Sequence, residues 1–175
     1  MQESEIVATV RQWLESFVIG LNLCPFAKRE LVKNRIRFKL TAASSPPQLL
    51  MALQSELELL NRDQSIETTL LIHPEVLQDF DDYNQFLTLA DLLLVQLGLR
   101  GIYQLASFHP AYQFEGTAVD DVENYTNRSP YPMLHVIREQ SLERAIDDFP
   151  DVDQIPVRNI ELMRRLGKEK LMAMK

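Results

Sequence analysis

The sequence has little of what defines several well-known classes of protein. It has one cysteine, so no internal disulfide can form, which favours a reducing compartment. Its five glycines form neither a phosphate-binding loop nor a dinucleotide fingerprint, so nucleotide binding is not indicated. No apolar run approaches the roughly 18 residues that span a membrane, and the acidic start does not resemble a signal peptide. We therefore expect a cytoplasmic protein without a membrane partner.

An excess of positive charge is missing as well. The net charge is −7 and the pI is near 5.0, which argues against a nucleic-acid partner because binding of phosphates needs a basic face. With 46% hydrophobic and 25% charged residues, the composition is that of an ordinary globular protein. A chain of 175 residues is long enough for one domain with its own core. We expect that core within residues 4–150, followed by a helical extension at 151–175.

Hydrophobic periodicity predicts helices and strands in alternation. The predicted order is a helix at 4–21, a strand at 35–41, a helix from 46 to about 60, a strand at 66–72, a helix at 79–97, a strand at 102–108, a loop at 110–132, a strand at 133–138 and helices near 140–149 and 156–173. Strands joined by helical crossovers run parallel. We therefore expect an α/β sandwich with a four-stranded mixed sheet in the order α-β-α-β-α-β-β-α-α.

The chain has three histidines, and all of them lie on or beside predicted strands. His73 and His109 each end a predicted strand and precede a proline. A proline restricts the residue before it to extended backbone, and it has no N–H to continue the hydrogen bonds between strands. Parallel strands would bring both to the same end of the sheet, where α/β proteins usually bind ligands. If the fourth strand is antiparallel, His135 near its start lies there too. The pattern predicts that the three imidazoles converge.

Three converging imidazoles suggest two kinds of chemistry. They can form a facial site for zinc or iron with an open position for water or substrate, or act as general acid and base. No short-range spacing such as His-x-x-x-His supports the metal. The alternative is that each histidine is a hydrogen-bonded structural residue at a strand end.

The long predicted loop at 110–132 is the next candidate, because long structureless segments in compact domains are often functional. Arg128 can clamp a carboxylate or phosphate with two hydrogen bonds, and Glu123 can orient a histidine or act as a base. The alternative is a loop held together by its own polar network. The loop contributes these candidates for substrate binding: Asn124, Tyr125, Asn127, Arg128 and Ser129.

Two further segments carry weaker signals. Ser44 and Ser45 follow the first strand and precede a helix, so their backbone N–H groups can meet an anion. Cys24 follows the first helix, whose negative end disfavours a thiolate. A Cys-Pro pair can ligate haem iron or another soft metal, but a buried, inert thiol is the simpler interpretation.

Long segments resemble a known family. The segments are Gly20-Leu-Asn-Leu-Cys-Pro-Phe-Ala-Lys, Glu67-Thr-Thr-Leu-Leu-Ile-His-Pro, Asp82-Tyr-Asn-Gln-Phe-Leu, Ala106-Ser-Phe-His-Pro-Ala-Tyr-Gln-Phe and Asn124-Tyr-Thr-Asn-Arg-Ser-Pro-Tyr-Pro-Met-Leu-His. Together they resemble the bacterial domain-of-unknown-function family DUF1415, from about Val10 to Glu143. The resemblance implies a bacterial cytosolic domain and supplies no activity.

A second, shorter resemblance involves Cys24-Pro-Phe-Ala, Arg37-Phe38 and Arg128-Ser129. These residues are similar to the YqcI/YcgG family, which includes haem-dependent oxygenases. The resemblance implies haem or iron chemistry.

The sequence therefore supports three hypotheses about function. The first is an enzyme that acts on a small anionic metabolite, with acid/base or metal chemistry from His73, His109, His135 and Glu123, and with Arg128 as the anchor. The second is a binding or scaffold domain with structural histidines. The third is a haem- or iron-dependent oxygenase-like protein.

Overall fold

The computed structural model describes residues 3–149 and 151–174. Helices and strands alternate through most of this chain. The elements are α1 (Glu3–Trp13) with a π-helical continuation (Leu14–Ile19), α2 (Ala27–Val32), β1 (Ile36–Leu40), α3 (Pro46–Arg62), β2 (Thr68–Ile72), α4 (Phe80–Gln96), β3 (Tyr103–Phe108), a 3-10 helix (Val122–Asn127), β4 (Met133–Arg138), α5 (Glu139–Asp148), α6 (Gln154–Leu166) and α7 (Lys168–Ala173).

The four strands form one mixed sheet in the spatial order β1-β2-β4-β3, which confirms the predicted α/β fold class. β1 and β2 are parallel, and β4 lies between β2 and β3 and is antiparallel to both. β2 and β3 therefore point the same way. Their last residues, Ile72 and Phe108, both pair with Met133 at the start of β4.

Helices cover both faces of the sheet. α3 and α4 pack on one face, here the α3–α4 face, where Leu71, Leu134 and Val136 belong to their core cluster. α1, the π-helical segment, α6 and α7 pack on the other, the α1–α6 face, whose core cluster includes Leu70 and Ile72. Successive side chains of a strand point to opposite faces, so the parity of a residue in its strand decides which helices it meets.

The first helix ends in an unusual way. Residues Leu14–Ile19 form a π-helix instead of the regular helix predicted at 4–21. The wider turn lets Gly20 N–H donate to the Glu15 carbonyl at 3.0 Å. It also brings the Ser16 carbonyl against Gly20, so that a Cβ at this position would overlap the Ser16 oxygen. Glycine is needed for space, since its φ of −57° is ordinary.

The C-terminal helices pack on the same core as α1. Met163 of α6 and Leu171 of α7 are fully buried in that cluster. The helix predicted near 156–173 is two helices, because Gly167 at φ 79° interrupts it. Among the described residues no helix has the length and apolarity that a membrane crossing requires.

Candidate functional site

Two of the three histidines meet on the α3–α4 face. His73 follows β2 and stacks on Tyr83 of α4 with ring centroids 5.8 Å apart, and His109 follows β3 with its ring 4.9 Å from the same tyrosine. The Tyr83 hydroxyl donates to the Met133 carbonyl at 2.6 Å and accepts the Phe108 N–H at 3.1 Å. This cluster therefore joins the ends of β2 and β3 to the start of β4.

His135 lies on the opposite face. It is the third residue of β4, between Leu134 and Val136, which both face α3 and α4. Strand alternation therefore directs the His135 ring to the α1–α6 face, where it contacts Phe108 with ring centroids 6.0 Å apart. The strand ends do come together as expected, but the three imidazole rings do not all lie on the same face of the sheet.

The predicted three-histidine metal site is therefore not formed. Within residues 3–149 and 151–174 no group of three or more His, Cys, Asp or Glu side chains is arranged to hold a metal ion. This corrects the expectation that His73, His109 and His135 share one site. The physical reason is that His135 has the opposite side-chain parity from the residues that face α4.

Both nitrogens of His109 are in use. Its Nδ1 accepts the Ala111 N–H at 3.0 Å, so the proton is on Nε2, which donates to the Leu77 carbonyl at 3.0 Å. Burial lowers the pKa of this imidazole below its ordinary value of 6.5. His109 has the geometry of a structural residue that shapes the turn after β3.

His73 is fully buried and also neutral. Its Nδ1 donates to the Val76 carbonyl at 3.0 Å, and its Nε2 has no hydrogen-bond partner. Burial lowers the pKa of His73 to about 4. The imidazole therefore stays uncharged at neutral pH, which makes its burial tolerable. It lies outside the cavity described next.

A cavity of about 630 Å³ opens on the α1–α6 face, between the sheet and the helical segments α1, α2 and α5. Its wall is mainly apolar, and its volume falls in the range of small-molecule sites, about 300–1,000 Å³. The sheet contributes Thr68, Leu70 and His135 to the wall, and the first helix contributes Trp13 and Leu14. His135 is the one histidine among its lining residues.

The protonation of His135 follows from its neighbours. The Thr68 hydroxyl donates its single hydrogen to the Val136 carbonyl at 2.5 Å. His135 Nε2, 2.7 Å from the same oxygen, must then be the donor. The lone pair is left on Nδ1, which has no hydrogen-bond partner in the described part of the chain. Burial lowers the pKa of His135 to about 4, so the imidazole is neutral.

Charged groups in the same wall are mostly paired. Arg35 forms ion pairs with Glu30 at 3.3 Å and with Glu67. Burial alone would raise the pKa of Glu67, but its contacts with Ser141 and Arg35 outweigh burial and leave that pKa lowered. Glu67 is therefore ionised. Arg144, on the exposed side of α5, has no ion pair with another residue that the structure describes.

Helix α5 covers one side of the cavity. It has no buried residue, yet Leu142 and Ala145 line the cavity together with Phe149, which follows the helix. The Phe149 ring meets Phe26 edge-on at 5.9 Å. The apolar side of α5 therefore faces the space that a ligand would fill.

Cys24 also lines the cavity and is partly buried. Burial raises the pKa of its thiol above the ordinary value of 9.0, so the thiolate is disfavoured. Haem iron takes a cysteine thiolate or an imidazole nitrogen as its protein ligand. In this arrangement the cysteine is a thiol and His135 Nε2 donates to Thr68, so neither of these two atoms is poised as a ligand, whereas His135 Nδ1 keeps its lone pair.

The predicted substrate anchor Arg128 is occupied within its own loop. Its Nε donates to the Tyr112 carbonyl at 3.0 Å, and its Nη2 donates to the Val119 carbonyl at 2.7 Å. The guanidinium also lies over the Tyr125 ring, 4.9 Å from the centroid. Arg128 therefore fastens the segment 110–132, and it does not line the cavity.

The neighbouring loop candidates are also engaged in local contacts. Buried Asn124 accepts the Phe114 N–H at 2.9 Å, and Asn127 Nδ2 donates to the Ser107 carbonyl at 3.0 Å. The Ser129 hydroxyl donates to the Tyr131 carbonyl at 2.6 Å. These bonds give the loop its shape.

Three further candidates have local roles too. Glu123 pairs with Arg164 of α6 at 3.4 Å, on a different element from any histidine. Ser45 caps α3 by accepting the Gln48 N–H at 3.4 Å. The Ser44 N–H donates to the side-chain oxygen of Gln48 at 2.8 Å. None of the three lines the cavity.

Sequence reasoning missed the cavity and two of its residues, Trp13 and Thr68. A signal for the face of His135 was present, because Met133-Leu-His-Val-Ile-Arg alternates and sets His135 in phase with Met133 and Ile137. No sequence signal reveals the cavity, since its lining residues run from Trp13 to Phe149, 136 positions apart.

Comparison with known proteins gives a family without an activity. The family model described as "Protein of unknown function (DUF1415)" matches residues 5–173, which confirms the first resemblance drawn from the sequence. No curated protein and no solved structure matches the chain.

Proposed function

Because the chain belongs to the DUF1415 family, whose description states no activity, we propose a function from the cavity itself: the protein binds a small, largely apolar molecule there. His135 supplies the polar contact to that molecule. The observation that carries the proposal is a neutral imidazole, with its Nδ1 lone pair unpartnered, in the wall of a mainly apolar cavity of about 630 Å³.

The apolar wall supplies most of the binding free energy. Burying apolar surface stabilises a complex by about 25 cal/mol per Å². A ligand with one aromatic ring and a short alkyl chain buries on the order of 200 Å², so it gains about 5 kcal/mol before the cost of association is subtracted. The apolar contact therefore supports dissociation constants no tighter than about 0.2 mM, and we expect millimolar values for simple probes of this kind.

Cavity-filling variants test the proposal. Ala145 lines the cavity from α5, whereas the next residue, Ile146, is 43% exposed and does not line it. In Ala145→Phe the added ring occupies the ligand volume, and Ile146→Phe is the matched control on the same helix. Titration calorimetry and thermal melts with 4-propylphenol should show binding and stabilisation in wild type and in Ile146→Phe.

The variant Ala145→Phe should bind the probe at least tenfold more weakly. Two results would overturn the proposal. One is that wild type shows neither heat of binding nor a shift in melting temperature. The other is that Ala145→Phe, still folded by circular dichroism, binds with wild-type affinity.

A second candidate function is acid–base catalysis in the same cavity. It is favoured by one observation: the pKa of His135, lowered to about 4 by burial, keeps the imidazole in its proton-accepting form at neutral pH. His135 would then remove a proton from a bound substrate or water, as the sequence-based hypothesis of a histidine enzyme supposes. His73 and His109 would have no part in it, because they lie on the other face.

Hydrolysis of 4-nitrophenyl acetate gives a simple test of that role. Water adds to the ester carbonyl as His135 Nδ1 accepts one water proton, and the tetrahedral intermediate then breaks its C–O bond to 4-nitrophenolate and leaves acetic acid. The acid and the protonated His135 each release a proton to solvent, which gives acetate and restores the neutral imidazole. Wild type should release 4-nitrophenolate at least tenfold faster than His135→Phe. Equal rates in the two proteins would refute a catalytic His135 and leave ligand binding intact.

A further inference from the structure

We infer that the ligand meets His135 through a neutral hydroxyl group, so that the cavity selects apolar alcohols and phenols over their ethers and over carboxylates. This inference rests on the proposed ligand-binding function. It names the chemical class of ligand, and it differs from the anionic metabolite expected from the sequence.

The first step is the direction of the hydrogen bonds at Thr68. The opposite tautomer, with the proton on Nδ1, would need the Thr68 hydroxyl to donate to His135. The contact of 2.5 Å between Thr68 Oγ1 and the Val136 carbonyl oxygen would then contain no hydrogen and be repulsive. Thr68 is therefore a positioning residue, because it holds the proton on Nε2 and the lone pair on Nδ1.

The second step is what an open lone pair accepts. Nδ1 needs a hydrogen-bond donor, and leaving a buried acceptor unpaired costs about 1–3 kcal/mol. A hydroxyl group supplies the donor, whereas an ether of the same shape does not. A carboxylate oxygen would meet the lone pair of His135 with its own, so an ionised acid is disfavoured there.

The third step is the charge of the wall. Arg29 and Arg35, the basic residues that line the cavity from α2 and from the start of β1, are paired with Glu30, and Arg35 also with Glu67. Arg144 on exposed α5 also lines the cavity, and it forms no ion pair with another described residue. Two of the three lining arginines are therefore already neutralised by carboxylates, which reduces the positive charge that the wall offers to an acid.

Three probes of one size separate the classes: 4-propylphenol, its methyl ether 4-propylanisole, and 4-propylbenzoate. Calorimetric titrations at pH 7.5 should give the phenol at least tenfold tighter binding than the ether, the ratio that about 1.4 kcal/mol represents. The benzoate should bind most weakly. In His135→Phe the ether should bind as tightly as the phenol, because the acceptor is gone.

The variant Thr68→Val tests the positioning role. Without the hydroxyl, the His135 proton can move to either nitrogen, so the preference for phenol over ether should fall below about threefold. Thr69→Val is the matched control, since Thr69 is the next residue of β2 and faces α3 and α4. It should keep the wild-type preference.

The outcomes separate this inference from the proposed function. If wild type binds phenol and ether equally, or binds the benzoate most tightly, the hydroxyl inference is wrong and the binding cavity stands. If it binds none of the three, the proposed function fails and the inference fails with it. Should Thr68→Val not fold, the comparison of the three probes in wild type still decides.

Discussion

Thr68 of β2 and His135 of β4 lie on the same face of neighbouring strands, with Thr68 Oγ1 2.7 Å from His135 Nε2. The threonine passes its own hydrogen to the Val136 carbonyl, so the imidazole is the donor in this pair. The contact fixes one tautomer and leaves Nδ1 as an acceptor. A contact between two strands thereby determines which ligand groups the cavity wall can recognise.

The stability of the protein should fall on mild acidification. Burial lowers the pKa values of His73 and His135 to about 4, and the unfolded chain titrates near 6.5. As the pH falls, the unfolded state therefore takes up protons before the folded state does. The contribution of the neutral histidines to the free energy of unfolding is fully present above about pH 6.5 and is lost between about pH 6.5 and 4. Each imidazole accounts for about 2 kcal/mol between pH 6.5 and 5.

Urea unfolding at pH 7.5, 6.0 and 5.0 measures this decline. His135→Phe should reduce the slope with pH by the contribution of one imidazole, because phenylalanine takes up no proton in either state. A free energy of unfolding that stays constant from pH 7.5 to 5.0 would contradict the buried, neutral histidines.

Removing the Tyr83 hydroxyl should weaken the junction of the three central strands. In Tyr83→Phe the Met133 carbonyl and the Phe108 N–H both lose their buried partner. We expect the free energy of unfolding to fall by about 3 kcal/mol, since each buried group left unpaired costs about 1–3 kcal/mol. In the control Tyr112→Phe, on the loop after β3, the change should stay within about 0.5 kcal/mol. Equal effects of the two substitutions would refute the role of this hydroxyl.

The π-helical segment should depend on Gly20. In Gly20→Ala the new methyl group would overlap the Ser16 carbonyl oxygen, so the segment must shift. Overpacking of this kind costs about 1–3 kcal/mol, and because Leu14 and Val18 of this segment line the cavity, affinity for 4-propylphenol should drop as well. Thermal melts and calorimetry measure both effects. Thr9→Ala, at an exposed position of α1, is the control. A Gly20→Ala protein as stable as that control would show that the space is not needed.

Arg128 should matter for stability and not for binding. Lysine cannot reproduce the two directed bonds to the Tyr112 and Val119 carbonyls, so Arg128→Lys should lower the free energy of unfolding by about 1–2 kcal/mol. Its affinity for 4-propylphenol should equal that of wild type. The control Arg144→Lys, on exposed α5, should leave stability unchanged. Wild-type stability combined with weaker probe binding in Arg128→Lys would favour the anchoring role expected from the sequence.

The order of the elements could be predicted from the sequence because local signals mark them. The strand ends at His73 and His109 followed from the prolines after them, and β4 was located at its observed bounds from its alternation. The short α2 was missed, since none of its six residues is buried and it shows no apolar stripe. The π-helical segment was missed because the apolar spacing at 4–21 fits a regular helix equally well.

The candidate site was harder to predict, for a physical reason. The direction of the His135 ring depends on its parity in β4, whereas the expectation of a shared site followed from the position of the strand end alone. The groups around that ring come from α1, β2 and α5, whose packing no local pattern specifies. Arg128 and Asn124 were identified as hydrogen-bonding residues of the loop, but both donate to backbone carbonyl groups of that same loop.

The nitrogen-15 NMR spectrum of the His135 imidazole, with and without 4-propylphenol, tests the central claim most directly. At pH 7 the spectrum should show a protonated Nε2 and an unprotonated Nδ1. Saturation with the phenol should move the Nδ1 resonance in the direction of hydrogen bonding and leave those of His73 and His109 in place. A proton on Nδ1, or an Nδ1 resonance that does not respond to a phenol shown by calorimetry to be bound, would contradict the account.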